Sequence, residues 1–243
     1  MIVLLPPSET KAAGGIGASL TTASQGLPNL GFPGLAVARS RALAALDRLV
    51  AAGQDVSTPA KARAAADNAA VRTSPTMPAI ERYTGVLFDA LDAASLAPEE
   101  RAWVDAHVVI QSALFGFVRA SDPIPAYKVS ATSKLPGERM RELWSDAGHV
   151  IEGFALDLRS KAYAQLAPVP AAVPVDVVAP DGAALNHWNK AGKGAFVRAL
   201  AQAGAQADSA DALVSWAESA DVPLSRTTTG VRLTVHDPRL APA

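Results

Sequence analysis

The chain has 243 residues, of which 49% are hydrophobic and 19% charged, and its formal net charge is −1. That balance is ordinary for a globular protein; it excludes disorder driven by charge excess and argues against a grip on nucleic acid spread over the whole surface. With no cysteine in the sequence, disulfides, thiolate nucleophiles and Cys-ligated zinc or iron–sulfur clusters are excluded.

Ile2 to Leu5 reads as a short buried strand stopped by Pro6-Pro7, with Ser8-Glu9-Thr10-Lys11 as a polar turn. This opening is too short for a signal-peptide core, and no apolar stretch approaches the roughly 20 residues of a membrane span. A cytosolic protein with no membrane partner is expected. Residues 12–34 are rich in Gly, Ser, Thr and Pro and form a long loop. Helical spacing begins near Leu35, with Leu43, Leu46, Leu49 and Val50 on one face and Arg39, Arg41 and Arg48 turned outward. A second, alanine-rich helix runs from Pro59 to Val71, proline in its first turn. Tyr83, Leu87, Leu91 and Ala94 keep helical spacing, and Pro98-Glu99-Glu100 opens another helix carrying Trp103 and Val104.

Val108 to Val118 is a mostly apolar run, broken only by Gln111 and Ser112, that reads as a buried strand or strand-like run; periodicity does not separate these from a buried helix. It hands over to a loop stiffened by two prolines that presents Arg119, Asp122, Tyr127 and Lys128. Leu135-Pro136-Gly137-Glu138 starts a helix through Met140, Leu143, Trp144 and Ala147. Phe154, Leu156 and Leu158 alternate as a strand ending at Arg159. Val173, Val175 and Val177 also alternate, and Pro174 marks an edge strand or the beginning of one. Asp181-Gly182 signals a hairpin turn with a returning segment from Ala183 to Trp188. Helices follow over 190–203 and 209–219, then a half-buried strand through Val231, Leu233 and Val235, and a disordered or frayed tail at about 237–243. The expected architecture is one α/β (α+β) domain over 1–243, a mixed sheet flanked by helices.

Familiar catalytic signatures are missing: there is no GxGxxG, Walker loop, GxSxG or HExxH. His107, His149, His187 and His236 are dispersed, so no metal site and no cofactor is assigned. Three cationic clusters stand out: Arg119 with Lys128, Arg159 with Lys161, and Lys190 with Lys193 and Arg198. Lys190 and Lys193 share a helical face that suits one anion at a helix start. Leu135-Pro136-Gly137, leading to Arg139 and Arg141, resembles half of a helix-hairpin-helix, with Arg139 where a second glycine is usual.

Taken together, these pieces resemble the YaaA family of bacterial peroxide-stress proteins. The resemblance is carried by six ordered blocks: Met1 to Lys11; Tyr83-Thr84-Gly85; Ser112 to Arg119 with Asp122, Pro125, Tyr127 and Lys128; Leu143-Trp144-Ser145-Asp146; Asp157 to Tyr163; and Lys190 to Gly194 with Arg198. The departures are Ala120, Glu9 and Arg159, standing where the family has proline, lysine and a small residue. The resemblance implies a mixed α/β body with a positively charged cleft, DNA binding, and restraint of intracellular iron that limits oxidative damage.

Two functions compete. In one, the cleft binds double-stranded DNA, regular or distorted, through Arg119, Lys128, Arg159, Lys161, Lys190, Lys193 and Arg198, with affinity that falls steeply with salt. In the other, the loops at Ser8, Thr10 and Lys11 and at Arg119–Lys128 converge with the Lys190 helix on a pocket for a phosphate- or carboxylate-bearing small molecule. Lys128 or Tyr127 would then transfer a proton, Arg119 would hold the anion, Tyr83 and Ser112 would line the wall, and Asp122 would orient Arg119.

Overall fold

The computed structural model describes residues 1–21, 30–181 and 187–235. The Gly182 end of the expected hairpin, its return through residues 183–186 and the tail from residue 236 lie outside them.

Strand β1 (Ile2–Leu5) and strand β3 (Val108–Ser112) are buried almost throughout and pair in parallel, Val3 against Val108 and Leu5 against Ile110. Strands buried on both faces read as continuous apolar runs rather than alternations, which is how both look in the sequence. On the other side of β1, strand β6 (Ala155–Asp157) also pairs in parallel, Leu4 opposite Asp157. The seven-stranded sheet then continues through β7 (Val173–Val178) and β9 (Val231–Thr234), both parallel, while β4 (Gly116–Arg119) and β8 (Leu224–Arg226) close its two edges antiparallel. A separate pair joins β2 (Met77–Pro78) to β5 (Pro123–Ile124).

Helices α1 (Ala36–Ala51), α2 (Pro59–Ala69), α3 (Ala79–Arg82), α4 (Val86–Leu91), α5 (Pro98–His107), α6 (Met140–Trp144), α7 (Lys161–Leu166), α8 (His187–Gln202) and α9 (Ala210–Ser219) flank the sheet. The expected α/β class and mixed sheet therefore hold. Helices α4 and α8 lie unusually close, because Gly194 has no side chain where a Cβ would stand 2.1 Å from the Leu87 carbonyl oxygen.

Four local readings are corrected. The run from Val108 to Val118 is two strands: Ser112 pairs with Gly116 and Val109 with Arg119 around a tight turn. The Ser112 hydroxyl caps that turn by accepting the N–H groups of Leu114 and Phe115 at 3.1 and 2.9 Å. Trp144 donates its indole N–H to the Ala113 carbonyl at 2.9 Å, and Gly116, at φ +66°, leaves room for the indole. Arg39 points inward, not outward. Its guanidinium donates to the carbonyls of Phe115, Phe117 and Gly31, covering the open side of edge strand β4 at Phe117 and tying it to the turn before it and to the Gly31 loop. Pro174 marks the beginning of a strand, as one of its two readings had it, but not an edge: it is the second residue of internal β7 and stands opposite Asp157 before the β7–β9 ladder starts, so the missing N–H costs no rung there. The helix expected from Leu135 is only Met140–Trp144; Leu135 to Glu138 closes a turn instead, bridged end to end.

The chain leaves β1, returns on one side as β3 and later on the other side as β6. The strand order thus reverses at β1. Loops leaving the carboxyl ends of such neighbours diverge and open a crevice, the usual ligand position in open α/β sheets.

Candidate functional site

The turn after β1 forms the floor of that crevice. Lys11 bridges to Tyr83 and the Ala12 N–H donates to the Arg82 carbonyl, so the turn is stitched to the Tyr83-Thr84-Gly85 element. The buried Arg82 guanidinium holds it there by donating to the carbonyls of Ala12, Gly14, Pro75 and Ile124. Thr84 donates its hydroxyl to the Thr10 hydroxyl oxygen at 3.0 Å, and the Thr10 N–H donates to Ser8 Oγ at 3.2 Å. Gly85, at φ +100°, turns the chain into α4 with a backbone only glycine adopts freely. Around these residues lies a cavity of about 430 Å³, walled also by Ser160, Tyr163 and Lys190.

Under the turn runs a chain of buried hydroxyls. Ser112 Oγ and Tyr127 Oη are 2.7 Å apart, and Tyr127 Oη and Tyr83 Oη 2.6 Å. Its direction follows from counting. Both lone pairs of Ser112 Oγ accept backbone N–H groups, so its proton goes to Tyr127, which donates in turn to Tyr83. Burial pushes both phenols far above the ordinary tyrosine pKa, so they stay neutral donors. Tyr163, the third tyrosine of the chain, stands at the cavity wall and is raised to about 12, again by burial.

Two lysines meet above these rings. Lys11 Nζ donates to the carbonyls of Ser8 and Glu9 at 2.9 and 3.4 Å and lies 4.3 Å from the Tyr127 ring centroid. Lys128 Nζ donates to the same Glu9 carbonyl at 3.1 Å and to the Glu9 carboxylate at 3.3 Å. Two ammonium groups thus converge on one oxygen. Burial, and after it the neighbouring Lys128, lower the Lys11 pKa to about 7, with Arg82 acting the same way and the Glu9 and Asp67 carboxylates opposing them. The backbone of Lys128 is clamped by the buried Asn68, which accepts its N–H at 2.7 Å and donates to its carbonyl at 3.2 Å. A second cavity of about 410 Å³ opens here, lined by Lys11, Lys128, Tyr127, Arg63 and Asp67.

The expected site residues divide into three groups. Ser8, Thr10, Lys11, Tyr83, Ser112, Tyr127, Lys128 and Lys190 gather at the crevice. Lys161 and Lys193 line a separate cavity of about 430 Å³ beside Asp157 and Asn189, with Lys193 lowered by burial. Arg159 also borders it, but its guanidinium is buried. That group donates to the Asp157 carboxylate at 2.6 and 2.8 Å, to Gln111 Oε1 at 2.6 Å and to the Ala167 carbonyl at 2.8 Å. The third group lies elsewhere. Arg119 is exposed at the far end of β4, its guanidinium carbon 5.0 Å from the Phe32 ring centroid. Asp122 accepts the backbone N–H groups of Arg119 and Gly31 rather than the Arg119 guanidinium. Arg198 donates to the carbonyls of Leu91 and Asp92, capping the end of α4. Arg139 pairs with Glu142 on an exposed surface.

Sequence reasoning did not single out Asn68, Thr84 or Ser160 as site residues, nor Glu9 as the partner of Lys128. Asn68 carried one signal, a lone amide in an otherwise alanine-rich helix. Among the described residues, no group of three or more His, Asp and Glu side chains is placed to hold a metal ion, and no helix is long and apolar enough to cross a membrane.

The family model described as peroxide stress protein YaaA matches residues 1–220. The chain is 42% identical to a UPF0246 protein of Corynebacterium glutamicum, covering 90% of this chain and 93% of that one. It is 41% identical to a UPF0246 protein of Corynebacterium efficiens over the same shares, and 39% identical to one of Streptomyces coelicolor over 84% of each chain.

Proposed function

The chain belongs to the family of the peroxide stress protein YaaA, and from that premise we propose that it serves the peroxide response by acting on a small carboxylate- or phosphate-bearing molecule in the crevice at the carboxyl ends of β1, β3 and β6. The observation that carries this reading is the convergence of Lys11 and Lys128 on the Glu9 carbonyl above the neutral Ser112–Tyr127–Tyr83 chain. An anion entering there meets two ammonium donors and the Thr10 hydroxyl, while Ser8 and Lys190 line the adjoining cavity on the other side of the Glu9 turn. The exposed Glu9 carboxylate is a weak, exchangeable partner for Lys128 and yields to a better one. The restraint of iron-driven damage is placed downstream of this binding.

Binding of a distorted DNA duplex is a second reading. Supporting it, neighbouring cavities share Glu9, Lys128 and Tyr163 and form a row edged by Arg63, Lys128 and Lys190. Against it, Arg159 and Arg198 are spent on hydrogen bonds elsewhere, Arg119 stands at the far end of β4, and Asp67, Asp157 and Asp176 interrupt the cations. Thermal denaturation with phosphate, with oxalate and with a bulged duplex across a salt series tests both. Saturation at about 100 times Kd adds about 2.7 kcal/mol, a shift of roughly 5–10 °C in a chain of this size. The small-anion reading predicts such a shift with phosphate or oxalate in the native protein and its loss in Lys128→Met. Equal responses of the two proteins, or stabilisation by the duplex alone with a steep salt slope, would overturn it.

A further inference from the structure

Resting on the small-anion reading, we propose that Lys11 is an amine nucleophile that condenses with the carbonyl group of a small oxo acid, forming an imine in the crevice, while Lys128 holds the carboxylate of that acid. The hydrogen bonds around Lys11 suit this chemistry. An ammonium has three donors, and two of them point to the carbonyls of its own turn. On loss of one proton, the amine keeps both of those bonds and turns its lone pair to the third direction. The group lines a cavity large enough for a molecule of a few carbon atoms.

Lys128 has two tasks in this arrangement. Burial favours the neutral amine of Lys11 most, and Lys128, as a cation beside it, adds to that along with Arg82, against the Glu9 and Asp67 carboxylates. The exposed ion pair of Lys128 with Glu9 is exchangeable, so Lys128 can also take a carboxylate whose adjacent carbonyl carbon faces Lys11. The lowered affinity of Lys11 for its proton makes the amine abundant at neutral pH, whereas an ordinary lysine presents only about one neutral amine in a thousand.

The step balances without any oxidant or reductant. The Lys11 nitrogen attacks the carbonyl carbon, forming the C–N bond as the C=O π pair moves to oxygen. The carbinolamine then loses its hydroxyl together with a proton from nitrogen, as water, leaving C=N.

The test is reductive trapping. The native protein is incubated with glyoxylate and cyanoborohydride, digested, and the carboxymethyl-lysines are mapped and timed by mass spectrometry. Propionaldehyde, a carbonyl compound without a carboxylate, runs alongside, and the exposed Lys134 serves as internal reference. Lys11 is expected to be labelled by glyoxylate at least about tenfold faster than Lys134 at neutral pH. Its rate should have a pH midpoint near 7, and its preference for glyoxylate over propionaldehyde should be lost in Lys128→Met. Labelling that follows exposure, with Lys11 no faster than Lys134, overturns the proposal in the native protein, so no variant needs to fold. Oxalate, which forms no imine, separates the two readings by thermal shift. Stabilisation by oxalate without trapping at Lys11 refutes the nucleophile and leaves the anion site standing; neither effect refutes both.

Discussion

Removing the Ser112 hydroxyl should cost far more stability than removing either phenol hydroxyl it supports. In Ser112→Ala, the N–H groups of Leu114 and Phe115 lose their acceptor inside a turn where Ser112 is fully buried. Each orphaned buried donor costs about 1–3 kcal/mol, so the loss is about 2–6 kcal/mol. Tyr83→Phe orphans one donor, the Tyr127 hydroxyl, and Tyr127→Phe orphans one, the Ser112 hydroxyl; each loses about 1–3 kcal/mol. The double variant Tyr83→Phe/Tyr127→Phe should cost little more than Tyr127→Phe alone, because the Tyr127 donor that the first change strands is gone. Urea denaturation at constant slope measures all four. A Ser112→Ala loss no larger than that of Tyr83→Phe would refute the directional chain, as would strict additivity of the two phenol changes.

Other expectations follow from the same packing. Arg159→Met leaves the Asp157 carboxylate without its buried partner and should lose about 3–5 kcal/mol in urea denaturation, while stabilisation by phosphate is unaffected, since the guanidinium is spent inside the protein. Gly194→Ala forces a methyl group against the Leu87 carbonyl at the α4–α8 contact and should cost about 1–3 kcal/mol or more, read as a lower thermal midpoint. Lys11→Met tests the titration. The unfolded chain binds a proton at Lys11 up to about pH 10.5, but the folded chain only up to about 7. Native stability therefore gains from this group as pH rises through that window. The variant lacks that gain, so its thermal midpoint relative to the native protein should be highest at pH 6 and fall toward pH 10; a pH-independent difference would contradict the shift.

Much of the crevice was legible in the sequence, because the residues that build it sit in blocks whose spacing is unusual. Ser8 to Lys11, Tyr83 to Gly85, and Tyr127-Lys128 all arrive at one place. What the spacing does not reveal is which end of an antiparallel pair a residue occupies. Arg119 and Lys128 are close in number, yet the hairpin at Ser112 sends Arg119 back beside Val109, away from the carboxyl ends. An apolar run carries no mark of that reversal when both faces of the strands are buried. Arg159 shows a second limit. Its neighbour Lys161 is exposed, but Arg159 turns inward because Asp157 and Gln111 offer it a buried fork of acceptors from two strands. Lys190 and Lys193 show a third. They are one helical turn apart, yet they line different cavities on either side of the segment that starts α7. The two glycines near them, read as part of a cation-rich motif, serve packing: Gly194 against Leu87 and Gly192 against Val177 and Val235.

Differential acetylation of lysines by mass spectrometry, with and without saturating oxalate, tests the central claim most directly. The account predicts that oxalate slows modification of Lys11 and Lys128 together and leaves Lys134 unchanged. Protection of neither, or an equal change at Lys134, would contradict a common anion site at the carboxyl ends of the central strands.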